Sequence, residues 1–160
     1  MQHRVLVAYP HKCTGCRICE QWCAQAHHGE MNPAKARLAV HRIHHLQINV
    51  PVACSQCVKA PCIDVCPAQC IGRDEETFGL TLDAGECIAC RMCVDRCVRG
   101  CVKMDADEAV PLLCDLCGGD PQCVKHCPEG AIQYVPFDQA DRGFRQYHAE
   151  RLAEEKGGAP

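Results

Sequence analysis

The chain has 160 residues, the length of one ordinary domain, yet it carries 18 cysteines and a net formal charge of only −3. This charge excludes the basic surplus typical of nucleic-acid binding, and no apolar run approaches the roughly 20 residues of a membrane helix. The N terminus shows no export signal, so we expect a cytoplasmic protein without direct membrane insertion. Because a reducing cytoplasm disfavours disulfides, the cysteines indicate metal binding.

The first predicted elements are a short β-rich strand over residues 5–9 and the cysteine motif that follows it. This motif, motif one, reads C-x2-C-x2-C-x3-C and comprises Cys13, Cys16, Cys19 and Cys23. Residues 46–50 alternate apolar and polar side chains, which predicts a second strand. Motif two follows, with a longer middle spacer and a proline after its last cysteine: Cys54, Cys57, Cys62 and Cys66.

The second half of the chain repeats this order. A predicted strand over residues 80–82 precedes motif three, which has the same spacing as motif one: Cys87, Cys90, Cys93 and Cys97. Motif four resembles motif two and precedes a predicted strand over residues 132–135; its members are Cys114, Cys117, Cys123 and Cys127. The A-B-A-B order indicates an internal duplication.

The spacing favours iron–sulfur chemistry. Three thiolates on a tight C-x2-C-x2-C loop can each reach a different iron of one cubane, whereas the fourth points away and, in bacterial ferredoxins, ligates the neighbouring cluster. Small residues, Gly15 and Ala89, precede the second cysteine where backbone passes close to a cluster. Structural zinc remains the alternative, although a zinc site uses two separated cysteine pairs. Sixteen cysteines would supply four 4Fe-4S clusters.

Two cysteines remain outside the four motifs. Cys70 and Cys101 each lie four residues after the last cysteine of their motif, where motif four has Ala131. We therefore interpret both as small buried fillers and not as ligands. An extra ligand or a redox-active thiol is the alternative.

These motifs resemble the four-cluster iron–sulfur subunits, or polyferredoxins, of multisubunit oxidoreductases. The stretch 51–62 is similar to the subunits that accompany molybdenum and tungsten enzymes, and 114–131 is similar to the small subunit of tungsten aldehyde oxidoreductase-type complexes. The resemblance implies that the fourth cysteines exchange clusters between motifs. The implied ligand sets are Cys13, Cys16, Cys19 with Cys127; Cys114, Cys117, Cys123 with Cys23; Cys54, Cys57, Cys62 with Cys97; and Cys87, Cys90, Cys93 with Cys66.

The predicted strands and the repeated motifs together indicate an α+β fold over residues 1–137. We expect a duplicated bacterial-ferredoxin-like domain of short strands, cluster loops and one-turn helices. Its inner unit is 51–106, with motifs two and three, and its outer unit is 1–50 plus 107–137. We predict that residues 138–160 form a C-terminal helical tail. The His-rich segment 27–45 favours a partly exposed, partner-facing surface, with a metal site or proton relay as alternatives.

The sequence offers no catalytic motif: it has no dinucleotide-binding turn, P-loop or nucleophile elbow. We expect a non-catalytic subunit that relays single electrons through four 4Fe-4S clusters. The resemblance implies a tungsten and pterin catalytic subunit at one side and a ferredoxin or a flavin/NAD-reducing subunit at the other. A carrier for a hydrogenase or carbon monoxide dehydrogenase is the alternative. Clusters at both ends of the chain would also allow head-to-tail self-association.

Overall fold

A computed structural model describes residues 3–140, which form short helices and eight short strands. The strands pair into four two-stranded antiparallel sheets, β1 with β8, β2 with β3, β4 with β5 and β6 with β7. Their bounds are β1 Arg4–Ala8, β2 Ala39–Ile43, β3 Ile48–Val52, β4 Ile71–Arg73, β5 Leu80–Leu82, β6 Lys103–Met104, β7 Pro111–Leu112 and β8 Ile132–Pro136.

Each motif ends in a helix that begins just before its third cysteine. These helices are α1 Ile18–His28, α2 Pro61–Asp64, α3 Met92–Asp95 and α4 Gln122–Lys125. Three of them are single turns, as the sequence predicts, whereas α1 has 11 residues. Its Ala, Gln and Glu residues favour helix, and it ends at Gly29, whose φ of 69° is readily adopted by glycine.

The pairing of β1 with β8 joins the two ends of the described chain. Val5 lies opposite Val135 and Val7 opposite Gln133, so the loops that follow β1 and precede β8 meet. These loops carry motif one and the last cysteine of motif four. Val5, Leu6 and Val7 are all buried, so both faces of β1 are packed, and burial on both faces holds this register.

The hairpin of β2 and β3 occupies the long spacer between motifs one and two. Arg42 lies opposite Asn49 in its register, and a 3-10 turn, His44–Leu46, forms its tip. The predicted strand over residues 46–50 begins later, at Ile48, because Gln47 takes a left-handed conformation in this turn. Leu46 and Ile48 are consequently exposed.

The buried residues form two main clusters, each rich in cysteine. One includes Leu6, Cys19, Ala24, Leu116 and Ile132, and the other includes Cys54, Ile71, Leu80, Cys93 and Val102. Large aromatic side chains are nearly absent from both, so thiols contribute much of the interior. Among residues 3–140, no helix is long and apolar enough to span a membrane.

Only the beginning of the predicted C-terminal helix falls within the described residues. Residues 137–140 are helical, and Ala140 is buried against Val5 and Val7. The rest of the tail, residues 141–160, lies outside the described part of the chain.

Candidate iron–sulfur sites

The first cavity lies beneath the loop of motif one. Its walls include four thiols, Cys13, Cys16, Cys19 and Cys127, together with Val40 and Pro51 of the hairpin. Cys127 comes from the other end of the described chain and reaches this cavity because β8 pairs with β1. The structure thus places one cysteine of motif four beside three of motif one.

Two further cavities lie in the inner part of the chain. One is lined by Cys54, Cys57, Cys62, Cys97 and Cys101, and the other by Cys66, Cys70, Cys87, Cys90 and Cys93. Each of the three cavities comprises about 320 to 360 Å³ of space free of protein atoms, part of which is open to solvent. In each, three cysteines of one motif meet the last cysteine of another.

The fourth group of thiols is that of motif four, in which Cys114 and Cys117 are partly buried. Cys123 is buried, and burial together with the neighbouring Cys23 and Cys117 raises the pKa of its thiol. Burial and the neighbouring Cys54, Cys123 and Cys23 likewise raise the pKa of Cys114. Cys23 packs in one buried cluster with Cys123 and Cys19, and it does not line the cavity of its own motif.

Neighbouring thiols connect the four groups in a row. Cys123 packs with Cys19 of the motif-one cavity in one buried cluster, and Cys114 packs against both buried clusters, the second of which contains Cys54. The last link is made by α2 and α3, which pack together and carry thiols of the two inner cavities. The two ends of the row are the cavity of motif one and the cavity of motif three.

Exposure distinguishes the ends of this row from its centre. Cys16 and Cys90 are the two exposed cysteines among the 18, and each belongs to an end cavity. Ile88 and Met92, which flank Cys90, are 65% and 42% exposed. The two ends of the row are therefore the places where its thiols reach the surface.

The protonation chemistry of the thiols fits a positive metal core. Burial, followed by the nearby Glu20 and Cys127, raises the pKa of Cys19 to about 12. Burial and the neighbouring Cys54 and Cys97 raise the pKa of Cys62 to about 11. Crowded, buried thiolates repel one another, so their deprotonation at neutral pH requires a compensating cation such as iron.

Backbone N–H groups also point at the sulfurs. Arg37 donates its N–H to Cys23 Sγ and Ala131 donates to Cys127 Sγ, both at 3.2 Å. Donors to sulfur stabilise a thiolate and tune the reduction potential of an attached cluster. Thiol number, crowding and donor placement therefore fit iron–sulfur ligation.

A recurring position lies four residues after the last cysteine of every motif. Cys70 Sγ is 3.4 Å from Cys66 Sγ, and Cys101 Sγ is 3.5 Å from Cys97 Sγ. Both spare cysteines are buried, as is Ala131 at the corresponding place of motif four. In motif one this position is His27, whose Nδ1 lies 4.0 Å from Cys23 Sγ.

The segment expected to be a partner-facing, His-rich surface is divided in two. His41, His44 and His45 are exposed, whereas His27 packs inside and binds Asp115 Oδ1 through Nε2 at 2.9 Å. Hydrogen bonds with Asp115, Cys117 and Cys23 raise the pKa of His27 to about 12. His27 therefore joins α1 to motif four as a cation.

Arg37 completes this ion network. Its Nη1 lies 2.7 Å from Asp115 Oδ2, and Asp115 also accepts the N–H of Cys117 at 2.9 Å. Burial opposes ionisation of Asp115, but the His27 hydrogen bond and the Arg37 charge outweigh it and lower its pKa. Sequence reasoning missed this carboxylate because its partners lie about 80 to 90 residues away in the chain.

A second unpredicted residue, Gln56, joins the inner and outer parts. Its side chain is 1% exposed, and its Nε2 donates to the carbonyl of Cys114 at 3.0 Å. This hydrogen bond connects the loop of motif two to motif four at the centre of the row. The sequence signal that could have identified Gln56 is its position as a polar residue between two cysteines of motif two.

Gly15 meets a side chain of the hairpin, which is a constraint on its size that the sequence did not indicate. Its φ is 76°, and a Cβ at this position would lie 2.5 Å from Oδ1 of Asn49. Asn49 in turn donates to the carbonyl of Cys13 at 3.4 Å and accepts from Arg42 at 3.2 Å. The hairpin therefore clamps the loop of motif one, whereas Ala89 occupies the matching place in motif three with a φ of 54°.

Comparison with known proteins identifies relatives of this arrangement. No protein-family profile matches the sequence. The polyferredoxin-like subunit of an aliphatic sulfonate oxidoreductase from Pyrococcus furiosus is 37% identical over 81% of this chain and 75% of its own length. The putative electron transport protein YsaA of Escherichia coli is 33% identical over 88% of this chain and 94% of its own length.

The fold has relatives among solved structures. A chain of the active-site complex BamBC of benzoyl coenzyme A reductase matches with a TM-score of 0.52 and 25% identity, covering 98% of both chains. The relatives are oxidoreductase subunits and electron-transport proteins, and the structure gathers the cysteines that such proteins require. The chain therefore belongs to the family of polyferredoxin-like iron–sulfur proteins, in which it is a non-catalytic electron-transfer subunit of an oxidoreductase.

Proposed function

We propose that the 16 motif cysteines hold four 4Fe-4S clusters and that the chain relays single electrons along them. The supporting observation is the row of four thiol groups, each of which combines three cysteines of one motif with the last cysteine of another. We assign each group to one cluster, with the sets named from the sequence. The nested units 1–50 plus 107–137 and 51–106 then hold two clusters each.

The protein's residues position and insulate these centres. Thiolates hold the metal, N–H donors to Cys23 and Cys127 stabilise their charge, and the hairpin walls of the motif-one cavity exclude water. A bound 4Fe-4S cluster supplies reversible one-electron storage. His27 and Gln56 fix the relative placement of neighbouring ligand loops, which sets the separation of the centres.

For the catalytic partner we propose a tungsten and pterin subunit of the aldehyde oxidoreductase type, in the cytoplasm. The support is the likeness of the 114–131 stretch to the small subunits of such complexes. Relatives are named as part of an aliphatic sulfonate oxidoreductase and of BamBC, so the family serves catalytic subunits. The other partner is a ferredoxin or a flavin/NAD-reducing subunit.

Metal analysis tests the clusters. Anaerobically purified protein should contain about 16 iron and about 16 acid-labile sulfide per chain, with the brown absorbance of cubane clusters. A stoichiometric zinc content without sulfide would contradict the relay.

Isolation from the native host tests the partner. A tagged chain should co-purify with a large subunit that contains tungsten and pterin and that reduces the clusters when an aldehyde is added. A nickel-containing partner would instead assign the chain to a hydrogenase or carbon monoxide dehydrogenase.

A further inference from the structure

The surface around exposed Cys16 is formed by two adjacent segments. Strand β3 packs beside the 3-10 turn Pro10–Lys12, and the Arg42–Asn49 pair of the hairpin contacts Gly15 and Cys13. One further register pair, Ile43 with Ile48, separates that pair from the hairpin tip. We call this surface the basic face; its exposed members are Lys12, Arg17, His41, Arg42, His44, His45, Leu46 and Ile48.

The N-terminal part of the chain, which supplies this face, is its basic part. Residues 1–63 contain seven Lys and Arg but two acidic residues, a formal charge of 7 − 2 = +5. The remaining residues contain 10 Lys and Arg against 18 acidic residues, 10 − 18 = −8. Several of these cations are paired: Arg17 with buried Glu20, Lys35 with Glu30 and Asp107, and Arg37 with Asp115. Lys12 and Arg42 therefore supply the net charge of the basic face.

The opposite end of the row differs in both charge and polarity. Residues 83–100 carry three acidic and three basic residues, and Ile88 and Met92 expose apolar surface beside Cys90. Permanent interfaces are the more apolar class, whereas charge complementarity accelerates short-lived encounters. Clusters of equal charge at the two ends would add the same charge to each. The difference in net charge between the two ends therefore comes from their side chains.

We propose that the basic face is the docking site of a soluble, acidic electron-carrier protein, which exchanges electrons with the cluster site beneath Cys16. This inference rests on the proposed relay function and assigns its two ends. The cationic face attracts the acidic carrier over a distance of about 10 Å at moderate salt and orients it over the exposed Cys16 loop. Leu46 and Ile48 supply apolar contact once the carrier has docked.

Charge reversal at the two ends provides a matched test. The probe is a purified, acidic two-cluster ferredoxin, whose electron exchange with the anaerobic holoprotein is followed by stopped flow. Lys12→Glu with Arg42→Glu should lower the bimolecular rate constant about tenfold at low salt and remove most of its salt dependence. Arg91→Glu with Arg96→Glu makes the same charge change at the other end and should alter the rate constant less than about twofold.

A second variant guards against local misfolding, because Arg42 also supports Asn49. His44→Glu with His45→Glu changes only exposed residues of the hairpin tip and should lower the rate constant about threefold. The proposal would be overturned if the Arg91 and Arg96 control lowered the rate constant more than the basic-face variants do, or if no variant changed it. The proposal would also be overturned if the chain bound anionic lipid vesicles while the charge-reversal variants of the basic face did not slow the reaction with the carrier.

Cross-linking gives a readout that does not depend on electron transfer. Carbodiimide joins carboxylates of the ferredoxin to lysine amines, and peptides containing Lys12 should dominate over those containing Lys125, which is 53% exposed. Dominant cross-links at Lys59 or Lys125 would contradict the proposal. Protein that lacks iron, or that dithionite cannot reduce, would instead contradict the relay itself, so the two failures are distinguishable.

Discussion

Motifs one and three have identical cysteine spacing, yet the structure surrounds them differently. At motif one the helix runs for 11 residues and a hairpin clamps the ligand loop, whereas at motif three the helix is a single turn and the loop is open. Good helix formers follow Cys19, but the β-branched Val94 and Val98 and then Gly100 follow Cys93. Identical spacing therefore specifies a ligand loop but leaves its protein surroundings open.

The difference also separates a polar end from an apolar end. Glu20 of motif one is buried at 1% exposure, where it accepts from Arg17 at 2.7 Å and from the N–H of Val40 at 2.6 Å. The matching residue of motif three is Val94, which packs against the inner core. A buried carboxylate thus attaches the hairpin to α1 at one end, and an aliphatic side chain fills the same place at the other.

The largest expected effect comes from the last cysteines of the two motifs. Cys23→Ala should remove the cluster assigned to motif four and lower iron from about 16 to about 12 per chain, and Cys97→Ala should do the same for motif two. The reason is that each side chain lies among the thiols of a different motif. Iron analysis with Mössbauer spectroscopy measures the loss; retention of the cluster at Cys114, Cys117 and Cys123 in the Cys23 variant would contradict the assignment.

Glu20→Ala should have the next largest effect. The substitution leaves the Val40 N–H without its acceptor and should lower the free energy of unfolding by about 1 to 3 kcal/mol. Val94→Ala, the control in motif three, removes only aliphatic contacts and should cost about 1 kcal/mol. Anaerobic thermal unfolding followed at the cluster absorbance compares them, and equal losses would show that the buried carboxylate does not hold the hairpin.

Gly15→Ala tests the clamp on the motif-one loop. A Cβ here meets Asn49 and also strains the positive φ, so we expect a loss of about 1 to 2 kcal/mol. Combining it with Asn49→Ala should recover the part of the loss that the steric clash causes. The reverse change at motif three, Ala89→Gly, should alter stability by less than about 1 kcal/mol; a loss as large as that of Gly15→Ala would remove the distinction between the loops.

The smallest effect should follow from the spare cysteines. Cys70→Ala and Cys101→Ala should each retain about 16 iron per chain, because Ala131 occupies the equivalent buried position. Their proximity to Cys66 and Cys97 makes the test informative, since both line the inner cavities. A lost cluster in either variant would make that cysteine a ligand.

Local sequence determined the parts of the fold whose signals are short-range. The predicted strand over residues 80–82 is β5, and the strands predicted over 5–9 and 132–135 lie within a residue of β1 and β8. Cysteine spacing alone identified the four loops, because the relative placement of neighbouring cysteines on one loop depends on only a few backbone angles. The family resemblance supplied the ligand sets, whose cluster assignment stays a prediction.

Tertiary structure decided the contacts between distant residues. The pairing of β1 with β8 brings Cys127 to the motif-one cavity, and the packing of α1 on α4 places His27 against Asp115, 88 residues further along the chain. The Asn49 contact with Gly15 likewise depends on how the hairpin folds back. Such pairings depend on the burial and hydrogen bonding of whole elements, and local propensity carries no information about which elements will meet.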